Sequence, residues 1–232
     1  MADLEILSAG AVKPAMQVLV PAFEAARGVS VEASFGPAPE LKARTRDGTG
    51  AIGVMAGPKA LIGELAAAGK LDATSRRALG GVKAAIALHR DAPVPDLSTP
   101  DAVRAAVLAA EAIVYNTASS GQYIDQMIHG LGIADTVEPR VQRLPTAEDA
   151  MRFLGSDAGR TAIGFGQSSA ICGYEQAFAV RLVAPLPDAI GNVTEYEVAM
   201  ATAAPRPDLA EAFIAFLTGP EGLAALKAIG VQ

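Results

Sequence analysis

A short apolar strand, Leu4 to Leu7, stops at Ser8-Ala9-Gly10-Ala11 and runs straight into a helix, a junction that steers the chain toward α/β architecture. A helix entered through small residues leaves its first N–H groups uncovered, and such a terminus suits an anion. The junction returns at AIVYNTASSGQYIDQM, where the strand Ala112 to Tyr115 gives way to Asn116-Thr117-Ala118-Ser119-Ser120-Gly121. One such cradle in each half of the chain points to one ligand held in a cleft between two lobes.

The spacing around the first junction extends the pattern. Pro14 suits an early helical position, and Met16, Leu19, Val20 and Phe23 recur at helical period up to Gly28. A β-like run from Val29 to Phe35 follows, then a helix from Glu40 to Arg46, the turn Asp47-Gly48-Thr49-Gly50 and the strand Ala51 to Met55. This β-α-β-α-β order is the mark of a parallel sheet. Beyond a helix over Pro58 to Ala68 and a strand over Val82 to Leu88, Ser98-Thr99-Pro100-Asp101 supplies a cap and an early acid for the next helix.

The alternation then repeats through the strand Thr161 to Phe165, and Thr194 to Ala201 reads as a returning strand. Two helices close the chain, with Leu209, Phe213, Phe216 and Leu217 on one apolar face and Leu223, Leu226 and Ile229 on the other. If the strands near 82–88 and 194–201 are the two crossings, residues 1–82 and 194–232 form a discontinuous lobe I around an inserted lobe II, residues 83–193.

Several function classes are excluded by composition. The 232 residues carry a net charge of −6 and no basic cluster larger than Lys42 to Arg46, which argues against nucleic acid. Hydrophobic residues reach 51% without any run of the ~18 apolar residues that a membrane span needs. One cysteine and two histidines assemble neither a disulfide nor a zinc-type cluster. No metal or other cofactor is expected, and no Ser-His-Asp order, Walker loop or dinucleotide fingerprint stands out. Met1-Ala2-Asp3 enters the first strand without an export signal. The expected location is periplasmic if a signal precedes this sequence, and cytoplasmic if Met1 is the native start.

The segments SAGAVKPAM, PAFEAARGVSVEASFG, LKARTRDG, VMAGP, YNTASSGQY, TAIGFGQSSA, LVAPLPDAI and FIAFLTGPEGLAALKAIG together resemble the type II periplasmic binding proteins, in particular the molybdate-binding-like branch of ABC-transporter solute receptors. The resemblance implies two lobes, each a mostly parallel sheet flanked by helices, closing on a small oxyanion. It further implies a monomeric receptor that, if exported, serves an ABC-transporter permease.

The hydroxyl donors of that branch fall here on Ala11, on Pro37 or Ala38, and on Gln167, so the donors a tetrahedral molybdate needs are missing. Amide and hydroxyl groups remain at Asn116, Thr117, Ser119, Ser120, Gln167 and Ser168, and such donors suit an organic carboxylate. Ser8, Ala9, Gly10, Ala11, Gly36, Ala38 and Tyr196 complete the expected ligand-binding set. An aconitate-isomerase-like branch of the same family opens an alternative, the isomerisation of an unsaturated carboxylic acid by an allylic proton shift. That chemistry needs a titratable base. The candidates are Lys13, a cation at a helix start where the dipole disfavours it, and Glu195 on the returning strand. His89 reads as a surface or hinge residue, His129 as a complement to its helix C-terminus, and Cys172 as an inert buried thiol.

Overall fold

The computed structural model describes residues 2–47 and 52–231; the Gly48-Thr49-Gly50 turn and Ala51 lie outside the described residues. The chain divides into two compact units, Met1–Val82 with Thr194–Gln232 and Lys83–Val193.

In unit 1, β1 (Leu4–Ala9) leads through a 3-10 turn, Gly10–Val12, into α1 (Lys13–Arg27), followed by β2 (Val31–Gly36), α2 (Ala38–Asp47), β3 (Ile52–Pro58) and α3 (Lys59–Ala67). β1 lies between β2 and β3, parallel to both. The stripe Met16, Leu19, Val20 and Phe23 is buried against this sheet, and Gly28 ends α1 in the left-handed conformation at φ 65°. Pro21 sits inside α1 on its exposed side, where its missing N–H does not interrupt the helix.

The long β4 (Arg77–His89) carries the chain into unit 2. There α4 (Pro100–Ala109), β5 (Ala112–Asn116), α5 (Ser119–Gly130), α6 (Ala134–Val137), β6 (Val141–Leu144), α7 (Ala147–Leu154), β7 (Ala162–Gln167), α8 (Ser168–Tyr174) and β8 (Val180–Pro185) follow in order. β5 is parallel to β6 and β7, and β4 is antiparallel to β7 and β8. The chain returns along β9 (Val193–Met200), antiparallel to β3, and ends in α9 (Pro207–Leu217) and α10 (Pro220–Ala228).

Each unit has its own core. Phe23, Phe213 and Phe216 cluster in unit 1, with the Phe23 and Phe213 rings edge to face at 5.1 Å. In unit 2 one face of the sheet buries Ile86, Ile113, Tyr115, Ile124 and Phe165, and the other buries Val114, Met151 and Leu154.

Three expectations need correction. Leu223 is exposed, and Gly222 takes the inward position because a Cβ there would stand 2.0 Å from the Leu217 carbonyl oxygen. His89 is buried, its Nδ1 accepting the Asp91 N–H at 3.1 Å, so it is not a surface side chain. Cys172 is only half-buried, although desolvation still raises its pKa and keeps the thiol protonated.

Candidate functional site

The helices differ in how their first N–H groups are satisfied. Thr99 caps α4 through the Ala102 N–H and Thr146 caps α7 through the Asp149 N–H, both with acids in the first turn. The helices that follow β1, β3, β5 and β7, namely α1, α3, α5 and α8, have neither a side-chain cap nor an acid in the first turn. Their N-cap residues are Val12, Pro58, Ala118 and Gln167. At α1 the Lys13 N–H already donates to the Gly10 carbonyl of the preceding 3-10 turn and Pro14 has no N–H, whereas the first donors of α3, α5 and α8 meet no side-chain cap. The dipoles at all four termini favour negative charge.

In unit 1 the candidate residues gather at the carboxyl ends of β1 and β2, since Ser8 pairs with Phe35 and Ala9 with Gly36. Ser8 is fully buried and its hydroxyl donates to the Ala9 carbonyl at 3.3 Å. The Ala9 and Ala11 methyls are buried in the core, so these residues offer a ligand only their backbone. Gly10 is exposed and a Cβ there would meet nothing within 4 Å. Lys13 reaches back over the Phe35 ring at 5.7 Å. Tyr196 pairs with Pro58 at the end of β3 and is buried in the core. Glu195 instead forms an exposed ion pair with Lys59 at 2.5 Å, which raises the lysine pKa.

In unit 2, Val114 lies beside Gly164, so β5 and β7 end at one edge of the sheet. Asn116 is buried at the end of β5, and its Oδ1 accepts the Ala118 N–H at 2.9 Å, holding the turn that starts α5. The Ser120 hydroxyl lies 3.4 Å from the Asn116 amide. Thr117 is exposed and its hydroxyl donates to the Pro145 carbonyl at 3.5 Å. Ser119 is the first residue of α5, and its side chain lies outside the described residues. Gln167 and Ser168 are half-buried at the β7–α8 junction.

Sequence reasoning missed three features of these junctions. Gly121 is a necessity of packing, because a Cβ would stand 1.5 Å from the Asn116 carbonyl oxygen. Ser169 is fully buried with a hydroxyl that has no hydrogen-bond partner among the described residues, beside Gln167 and Ser168. Behind the β5–α5 junction, Asp125 accepts from the buried Tyr115 hydroxyl at 2.7 Å and from Arg143, which also pairs with Glu138. Arg143 holds the Asp125 carboxyl below its usual pKa, while burial and then Asp125 push the Tyr115 phenol up. Each of these depends on a contact distant in sequence or on an exact approach of backbones. Only the unusual Val12 and Ala118 at N-cap positions were readable signals.

Among the described residues no group of three His, Cys, Asp or Glu side chains is placed to hold a metal ion, and no single helix is long and apolar enough to cross a membrane.

Unit 1 has a sheet in which β2, β1 and β3 are parallel and β9 is antiparallel. The sheet of unit 2 is mixed, with two parallel and two antiparallel pairings among the described residues where a mostly parallel sheet was expected. With their flanking helices these make the type II periplasmic-binding-protein fold. The periplasmic molybdate-binding protein of Azotobacter vinelandii superposes with a TM-score of 0.80 at 18% identity, covering 99% of each chain. The sulfate-binding protein SubI of Mycobacterium tuberculosis H37Rv gives 0.78 at 16% identity, covering 98% of this chain and 85% of its own. The model of the bacterial extracellular solute-binding proteins matches residues 4–232, and the chain belongs to that family. An aconitate isomerase of Pseudomonas sp is 25% identical over 237 residues, 99% of this chain and 87% of the relative.

Proposed function

We propose that this solute-binding protein holds a small organic carboxylate, using the uncapped helix termini that follow β1, β3, β5 and β7. The observation that carries the reading is the contrast among the helices: α4 and α7 carry a side-chain cap and a first-turn acid, while α1, α3, α5 and α8 carry neither. In unit 1 the Gly10 and Ala11 backbone and the Lys13 ammonium are the proposed anion contacts. In unit 2 they are Asn116, Thr117, Ser119 and Ser120 with the first N–H groups of α5, together with Gln167 and Ser168. Fixed N–H and O–H donors match a planar carboxylate, and the aliphatic side chains at Ala11 and Ala38 supply no hydroxyl for a tetrahedral oxyanion. Transfer of the bound solute to an ABC-transporter permease is the role proposed for an exported form.

A thermal-shift panel of di- and tricarboxylates with molybdate and sulfate tests this reading. A carboxylate at 100 times its Kd adds ~2.7 kcal/mol to the native state, and a flat response to every carboxylate overturns the proposal.

In the Ser119→Ala, Ser120→Ala double variant, the affinity for a carboxylate found in that panel is expected to fall roughly tenfold or more. Each hydrogen bond to a charged group contributes ~1.5–3 kcal/mol. Titration calorimetry reads the loss, and unchanged affinity makes the turn a purely structural one.

The relative named aconitate isomerase favours a second reading on the same scaffold, a 1,3-proton shift in an unsaturated carboxylic acid. Incubation with trans-aconitate in D2O, followed by NMR, is its test. No deuterium entering either aconitate isomer removes the isomerase and leaves the binding protein standing.

A further inference from the structure

The turn after the edge strand β2 differs from the four junctions described above. Where α1, α3, α5 and α8 keep acids out of the first turn, α2 places Glu40 there. Its carboxylate is folded back across Gly36, with one oxygen 2.9 Å and the other 3.3 Å from where a Gly36 Cβ would stand. That position is beside Ala9, because Ala9 and Gly36 are register partners at the ends of β1 and β2. One residue earlier, Phe35 lies under the Lys13 ammonium. Neither Lys13 nor Glu40 belongs to an ion pair among the described residues, although Lys42 on the same helix is paired to Glu64.

A cation and a carboxylate thus flank one sheet edge, each without an ionic partner, over adjacent residues of β2. We propose that Glu40 is the specificity-determining residue of this turn: its carboxylate stands where a bound anion would otherwise meet the α2 terminus and turns away tetrahedral dianions such as molybdate and sulfate. The inference rests on the anion-binding reading above and narrows its ligand class. The ligand presents an ionised carboxylate to Lys13 and the Gly10–Ala11 backbone, and a hydroxyl or protonated carboxyl as donor to Glu40. Like charges brought together in this way reject a competitor more strongly than the loss of one favourable contact does.

The test is titration calorimetry of the full chain and its Glu40→Gln and Glu40→Ala variants with molybdate and with sulfate, beside the carboxylate panel on the parent. Glu40 is exposed and belongs to no ion pair among the described residues, so melting curves of the variants without ligand should fall by no more than the small contribution of a first-turn charge to its helix. Both variants are expected to bind the two dianions at least about tenfold tighter than the parent does. Equally weak binding by parent and variants overturns the role of Glu40, as does sub-micromolar molybdate binding by the parent. Tighter dianion binding by the variants with no carboxylate bound by the parent sinks the carboxylate reading and leaves Glu40 as the discriminator. Carboxylate binding without any gain in the variants does the reverse.

Discussion

Gly121→Ala is expected to destabilise the protein by at least about 3 kcal/mol, the upper range for a side chain forced into a filled space. The added methyl would lie 1.5 Å from the Asn116 carbonyl oxygen and 2.6 Å from the carbonyl carbon, and both obstacles are backbone that no rotamer change removes. Relief requires the first turn of α5 to move off the end of β5. That movement also breaks the Asn116 Oδ1 bond to the Ala118 N–H, so the donors proposed to hold the ligand lose their arrangement with the fold. A chemical-denaturation curve of the variant reads the first effect and calorimetry with the panel carboxylate the second. A variant as stable as the parent would mean that the close approach of α5 to β5 is wrong.

Phe213→Ala is expected to cost about 3–5 kcal/mol, the range for deleting a fully buried ring. Phe213 is completely buried on α9 and meets Phe23 of α1 edge to face at 5.1 Å. Such a pair adds roughly 0.5–1.5 kcal/mol beyond its burial. The consequence extends to binding, because α1 is the helix whose uncapped start follows Gly10 and Ala11. Once its C-terminal half loses the ring that clamps it, the turn at its N-terminus is less fixed. Denaturant unfolding measures the stability loss, and a cost under ~1 kcal/mol would contradict the aromatic clamp. Phe216→Ala is the milder control, since Phe216 is only partly buried and tilted against the same ring at 5.5 Å.

The fold was legible wherever one short-range rule sufficed. The stripe Met16, Leu19, Val20 and Phe23 is buried as its period requires, Gly28 takes the left-handed cap, and Thr99 caps α4 just ahead of Pro100. The strands β6 and β8 escaped notice because Val141–Leu144 and Val180–Pro185 are short and mostly half-buried or exposed, with no alternation to announce them. The mistaken inward placement of Leu223 has the same root: helical spacing identifies a stripe, but the end-on approach of α10 to the Leu217 carbonyl selects the glycine beside it. At the candidate site, the strand-to-helix junctions could be read directly. Glu40 could not, because an acid in a first turn is the ordinary complement to a helix dipole. Its fold back over Gly36 depends on the three-dimensional path of the turn.

The division of the chain sets an order of completion during synthesis. Unit 2 is the unbroken stretch Lys83–Val193, whereas unit 1 needs both Met1–Val82 and Thr194–Gln232. When β1, β2 and β3 leave the ribosome, the partner for the free edge of β3 has not been made. β9 supplies that partner by pairing Met200 with Val54 and Tyr196 with Pro58. At ~5–20 residues per second the wait is on the order of ten seconds, long compared with the folding of a small domain. Through that interval Val54, Met55 and Ala56, fully buried in the finished protein, border an unpaired strand edge. Unit 1, begun before unit 2, is therefore closed only after the whole of unit 2 has been made.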